Sequence, residues 1–185
     1  MENTRWKGFT LLELLIVITI LGIAALVAIP HLISTGTKKL EVAADEVVMA
    51  LRYAKSQAIR TGKPHGVRIT AADNHVRVFE LDMSNPPIDS ADEITLRHPH
   101  DKKFYDLAIN TDIETSGTGI SISDFRFGGN PTPYESVVFN AKGTPIRIAS
   151  DGATSLMDQG EVRLNQGGTI SIVQVAAVTG RVTQP

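Results

Sequence analysis

Residues 9–29 are the stretch that most restricts what this chain can become. From Leu14 to Ile29 no residue is charged, and only Thr19 has a polar side chain. At 21 residues the segment is long enough to cross a bilayer as a helix. A single carboxylate, Glu13, sits near its start, preceded by Lys7-Gly8-Phe9. A carboxylate inside such a span is costly in hydrocarbon, so it marks a functional position whose partner has to be identified. Arg5 and Lys7 precede the span, and the excess of positive charge on that side places the leader in the cytoplasm and the remainder outside. A cleaved secretory signal fits poorly. The apolar run is too long, and it ends in Ile29-Pro30-His31 with no small-residue cleavage site nearby.

The helical pattern continues past the apolar run. Pro30 removes a backbone donor and clashes with the preceding turn, so a kink is expected there. Over residues 37–61, Leu40, Ala44, Val47, Leu51, Ala54 and Ala58 step by three and four to form one stripe, with Val48 and Ile59 beside it. Lys38, Lys39, Glu41, Asp45, Arg52, Lys55 and Arg60 fall mostly off that stripe, and Gly62 with Pro64 is a stop signal. A helix over 9–61 is about 80 Å long at 1.5 Å per residue. Its second half has a face that needs a core.

After Gly62 the period changes to two. Val67 and Ile69 alternate with Arg68 and Thr70; after a turn at residues 72–75, Val76, Val78 and Glu80 alternate with Arg77, Phe79 and Leu81. Further strands are expected at 93–97, 104–109, 120–127, 136–140, 145–149, 161–164, 169–175 and 179–183. Residues 84–93 and 128–133 read as loops. The fold class is therefore α+β: a long N-terminal helix packed by its second half on an antiparallel β-sandwich or two small sheets. The domains expected are a leader at 1–8, a transmembrane helix at 9–36, an amphipathic helix at 37–62 and a β-rich head at 63–185.

Charge and composition exclude some functions. The 185 residues carry a net charge of −2, and loss of residues 1–8 leaves 16 basic and 19 acidic residues. That balance does not suggest a general nucleic-acid binder. There is no cysteine, hence no disulfide framework or thiolate metal site. No nucleophile elbow, phosphate-binding loop or zinc-protease motif is present. His98-Pro99-His100-Asp101 holds two potential metal ligands, but Pro99 argues against a regular strand and a polar loop is the expectation. Asp89, Asp92 and Glu93 lack calcium-loop spacing and read as a solvated acidic loop. No cofactor is expected.

Lys7-Gly8-Phe9-Thr10-Leu11-Leu12-Glu13-Leu14-Leu15-Ile16-Val17 resembles the class III signal of type IV pilins and type II secretion pseudopilins. The resemblance implies that a prepilin peptidase cuts between Gly8 and Phe9, that Phe9 is then N-methylated, and that the helix anchors the subunit in the inner membrane before packing inside a filament. Glu13 is expected to meet the Phe9 amine of a neighbouring subunit and so fix the axial register, since each charge alone is expensive in a dry core. Three further stretches are similar to the GspH/FimT group of minor pilins. They are the helix end Leu51–Gly62 with its run Ala54-Lys55-Ser56-Gln57-Ala58, the turn Phe139-Asn140-Ala141-Lys142-Gly143-Thr144-Pro145, and Gly168-Thr169-Ile170-Ser171-Ile172 followed by Thr179-Gly180-Arg181-Val182 as a closing hairpin. Lys55 and Gln57 stand where Arg and Glu are more usual, which puts an ion pair there in doubt. The resemblance implies a structural minor subunit, not an enzyme. It would sit at or near the tip of a type II secretion pseudopilus, or alternatively in a type IV pilus. Its partners would be the peptidase, other pilins, the inner-membrane assembly platform and membrane lipid. Some FimT-like pilins bind DNA through a Gly-Arg-x-Arg tail; here the second arginine is missing, so DNA is a minority reading resting on Arg181. The plainer expectation for Arg181 is a strand-end residue paired with an acidic neighbour.

Overall fold

The structure, a computed structural model, describes residues 10–109, 120–127, 136–149, 151–157 and 160–185, with the side chains of 25–37, 120 and 123–127 left out. One helix, α1, runs over Leu11–Thr61. Thr10 opens it: its hydroxyl oxygen accepts from the Glu13 amide at 3.2 Å, which satisfies one of the free donors of the first turn. Glu13 places an anion at the helix N-terminus and Arg60 a cation at the C-terminus, both favoured by the helix dipole. The helix is continuous through Pro30, whose side chain, and with it the expected kink, lies outside the described residues. At the far end Gly62 adopts φ +73° and donates its amide to Ala58 O at 3.0 Å, closing the helix as the sequence expects.

The chain divides into two compact units, Met1–Thr37 and Lys38–Pro185. Within the first, every described side chain from Leu11 to Ala24 is exposed. Among the described residues no helix is long and apolar enough to cross a membrane. The apolar stretch whose side chains are described stops at Ala24.

The second unit carries the core. Its strands are β1 (His65–Thr70), β2 (His75–Leu81), β3 (Glu93–Thr95), β4 (Asp106–Ala108), β5 (Ile120–Phe127), β6 (Ser136–Phe139), β7 (Pro145–Ile148), β8 (Thr154–Leu156), β9 (Gly160–Gln166), β10 (Thr169–Val175) and β11 (Val182–Thr183). They form two antiparallel sheets. The larger has the order β3-β2-β1-β6-β7-β8, with β4 also paired to β2; the smaller has the order β11-β10-β9-β5. The hairpin tip between β1 and β2 ties them together, because the Asn74 side-chain oxygen accepts from the Ile122 amide at 2.7 Å.

The helix stripe covers both sheets. Leu40, Ala44, Val47, Val48, Leu51, Ala54 and Ala58 are buried as expected, joined by Ala43 and Ala50. They pack in one cluster with Val67, Ile69, Val76 and Val78 of the larger sheet and Val162, Leu164, Val173 and Val175 of the smaller. Ile59 departs from the expectation. It is 53% exposed at the edge of the stripe, beside the β6–β7 turn.

The back of the larger sheet is covered too. Phe79, Leu81, Val138 and Ile146 form a second cluster against Met83 and Ile88, so the apolar residues on both faces of β2 are buried. Other departures are local. β8 was not expected; it has no apolar alternation and is held by pairing with β7. Residues 90–92 form a short 3-10 turn inside the expected loop, its N-terminus closed by a reciprocal capping box: Asp89 accepts from the Ala91 amide at 2.6 Å and Asp92 from the Asp89 amide at 2.9 Å. Residues 179–181 are turn rather than strand, because Gly180 takes φ +59° and donates to Ala176 O.

Candidate functional site

Parts of the three stretches that carry the sequence resemblance in the head meet at one place, while Gly168–Ile172 does not join them. The last turns of α1 supply Lys55 and Ile59. The β6–β7 turn supplies Gly143, at φ +75°; a Cβ added there would come within 2.8 Å of Ile59 Cδ1 and 2.9 Å of Lys55 Cε. The β10–β11 turn supplies Gly180, where a Cβ would overlap the carbonyl oxygen of Gly143 and lie 3.1 Å from the Phe139 ring. Both turns favour glycine by φ, and at Gly180 the close approach to backbone requires it as well. The β6–β7 turn is set by Asn140, whose side-chain oxygen accepts from the amides of Lys142 (2.9 Å) and Thr144 (3.1 Å).

Lys55 stitches this junction. Its ammonium donates to the carbonyls of Thr179 at 2.7 Å and Gly180 at 3.2 Å, so the lysine that replaces the usual arginine binds backbone rather than a carboxylate. One turn earlier, Arg52 donates to Val182 O at 3.2 Å. Gln57 accepts from Arg60 Nε at 3.0 Å and Nη2 at 2.5 Å, so Gln57 and Lys55 do not pair with each other.

Beside the junction a groove of about 660 Å³ opens, lined on the helix side by Arg52, Lys55, Ser56, Ile59 and Arg60 and on the hairpin side by Gly180, Arg181 and Val182. Positions 52, 55, 56, 59 and 60 share one helix face. Of these eight described lining residues four are cations and none is a carboxylate. Among the described residues Arg181 lacks the acidic neighbour that its strand-end reading expected; its side chain lines the groove. Arg52 and Arg60 were read in the sequence only as polar cover for the helix, and Lys55 also as a member of the Ala54–Ala58 run. The signal that finds them is distributed. Residues 47–72, 136–150 and 162–185 contain no Asp or Glu, and the fold brings parts of all three together.

The other candidates fall elsewhere. Gly8 and Phe9 lie outside the described residues. Glu13 is exposed in the first helical turn. Thr10 was not singled out as its cap, although Thr10-Leu11-Leu12-Glu13 has the spacing of a capping box. His98 packs edge-on against Tyr105 with ring centroids 4.6 Å apart and lies 3.4 Å from Asp101. Among the described residues no three His, Asp or Glu converge as a metal site would require. Glu93 is not part of a solvated loop. Its side chain is 3% exposed and is held by Arg68 Nε at 2.9 and 3.0 Å and by Arg77 Nη2 at 2.6 Å. Arg163 pairs with Glu161, and Arg147 lies under the loop that carries Ile88.

Comparison with known families decides what this arrangement is. Residues 43–179 match the family of the type II transport protein GspH. The chain belongs to that family. Residues 7–29 match the prokaryotic N-terminal methylation motif, which implies processing by a prepilin peptidase. No curated protein matches the chain. Among solved structures, the minor pseudopilin EpsH of the type 2 secretion system of Vibrio cholerae aligns with a TM-score of 0.53 at 14% identity, over 80% of this chain and 96% of that one. The type IV minor pilin FimU of Pseudomonas aeruginosa aligns with a TM-score of 0.51 at 13% identity, over 82% of this chain and 92% of that one. At such identity the likeness is one of fold: a long helix on antiparallel sheets. This GspH-family chain is a minor pseudopilin or pilin subunit, a structural protein and not an enzyme. Its relationships are with other pilins and with the processing peptidase.

Proposed function

We propose that the protein is made as a precursor inserted once in the inner membrane, with residues 1–8 in the cytoplasm and the head in the periplasm. Cleavage between Gly8 and Phe9 and N-methylation of Phe9 would release it for assembly, through the inner-membrane platform, at or near the tip of a type II secretion pseudopilus. The observation that supports this reading is the first half of α1. From Leu11 to Ala24 it is almost wholly apolar, and every described side chain is exposed, while the head buries a complete core of its own. Such a surface has to be covered by lipid or by the helices of neighbouring subunits. Glu13, one turn along from the new amine of Phe9, is placed to neutralise the amine of an adjacent subunit. Within a dry helical bundle that pairing offsets two desolvation costs and selects one register.

Intact mass of the membrane-extracted protein tests the processing step. A chain beginning at methylated Phe9 is expected; one beginning at Met1 overturns the reading. Glu13→Ala is expected to leave cleavage intact and to remove the subunit from isolated filaments, and normal co-assembly would refute the pairing role. The family description favours type II secretion over a type IV pilus. A deletion strain that secretes normally but loses surface pili would reverse that assignment.

A further inference from the structure

The groove at the end of α1 holds more positive charge than its own packing uses. Arg52 and Lys55 each spend donors on hairpin carbonyls, and Arg60 is steadied by the neutral Gln57. None of them, nor Arg181, has a carboxylate in the lining. Between these cations lie Ile59, half-exposed, and Val182, so the floor is apolar. Among the described residues, folding has thus gathered like charges around an apolar strip without a carboxylate to neutralise them. Such an arrangement is unfavourable in the isolated subunit and complementary to an anion that carries apolar side chains.

We propose that this groove is the docking site for an acidic peptide segment of a neighbouring filament subunit, a short stretch in which carboxylates alternate with aliphatic residues. The proposal rests on the filament-subunit reading above. Size and shape favour a peptide over nucleic acid. The space is concave, about 660 Å³, within the range that takes a few residues. Duplex phosphates lie on a convex surface and are bound by long tracks of free cations. Arg181 presents a planar fork that matches a carboxylate, and Arg60, whose Nε and Nη2 donate to the neutral Gln57, adds an uncompensated charge beside it, whereas Arg52 and Lys55 are tethered to backbone. Ile59 and Val182 supply burial that a sugar–phosphate backbone does not use. Inside a filament the neighbour is held nearby, so weak intrinsic affinity is sufficient.

The test uses the full chain in detergent micelles and fluorescence anisotropy. The probes are a fluorescein-labelled peptide of alternating Glu and Leu, the same peptide with Gln for Glu, and a labelled DNA duplex. The Glu–Leu peptide is expected to bind at least tenfold more tightly than the Gln–Leu peptide. R60Q/R181Q should remove that preference, while Arg97→Gln, outside the groove, leaves it unchanged. Neither Arg60 nor Arg181 contributes to the core, so the double variant should melt like the native chain. Equal binding of the two peptides, or undiminished binding by R60Q/R181Q, overturns the proposal. Tighter binding of the duplex than of the Glu–Leu peptide, lost by about 10³-fold or more between roughly 50 and 200 mM salt, also overturns it and makes the groove a nucleic-acid surface. In cells, R60Q/R181Q should be cleaved and inserted normally yet be depleted from the isolated filament fraction; native-like entry refutes the docking role. If the unaltered chain is itself neither cleaved nor assembled, the filament reading fails, and the peptide measurements still report on the groove.

Discussion

Gly180→Ala is the sharpest test of how the head is closed. Two terms add at this position. Gly180 has φ +59°, and placing a Cβ in the left-handed region costs about 1–2 kcal/mol. The new methyl would also overlap the Gly143 carbonyl oxygen and crowd the Phe139 ring at 3.1 Å and Pro145 Cδ at 3.3 Å. A clash with backbone is relieved only by moving one turn away from the other, and overpacking of this kind costs about 1–3 kcal/mol more. Gly167 provides the control: its φ is +57°, yet nothing lies within 4 Å of its hypothetical Cβ, so Gly167→Ala carries the backbone term alone. In thermal unfolding of the full chain in micelles, followed by near-ultraviolet circular dichroism, Gly180→Ala should melt lower than Gly167→Ala by about 2–12 °C, from about 1–3 kcal/mol at 2–4 °C per kcal/mol. Amide exchange of residue 180, whose N–H is bonded to Ala176 O, should accelerate in the first variant only. Equal melting temperatures for the two variants would refute the idea that the two turns are in tight contact.

Glu93→Gln should destabilise the head by about 3–5 kcal/mol in urea denaturation, since it leaves Arg68 and Arg77 facing each other without the buried anion between them; a loss below 1 kcal/mol would mean that solvent already screens the pair. For Glu46, burial beneath the loop that carries His98 raises the carboxyl pKa, an effect that His98 opposes and Asp45 reinforces. A carboxyl with a raised folded-state pKa makes stability fall as pH rises from its unfolded value through its folded one. Glu46→Gln should therefore raise the melting temperature slightly at pH 7 and not at pH 4, a small effect because the side chain is only half-buried; a gain that persists at pH 4 would refute the assignment.

The helix and its buried stripe were legible because a 3.6-residue period survives in Leu40, Ala44, Val47, Leu51, Ala54 and Ala58 whatever they pack against. Ile59, beside the stripe, stays half-exposed, because periodicity does not say how far the cover reaches. β8 was illegible because Thr154–Leu156 is held by ladder bonds alone, and the second cluster because alternation in β2 does not say that both faces are covered. Glu93 looked solvated since Arg68 and Arg77 come to it from two other strands. The groove had two visible residues, Arg181 and Lys55, and nothing to bring them together. Arg52, Lys55 and Arg60 resemble any polar helix face until the hairpin, 124–130 residues later in the chain, lies against them. The convergence of the three resemblance stretches on one junction gives their residue choices a physical reason that none shows alone: two glycines that let turns touch, and a lysine that reaches both.

That separation of 124–130 residues along the chain has a thermodynamic corollary. In the unfolded chain the groove's cations are dispersed and bind no anion in concert; in the folded head they act together. An anionic occupant therefore binds one state and not the other, and stabilises the folded state by RT ln(1 + [L]/Kd). At an occupant concentration about a hundredfold above Kd that amounts to about 2.7 kcal/mol. A subunit seated among its neighbours would resist unfolding more strongly than the same subunit waiting alone in the membrane, so assembly itself would harden the parts it is made from.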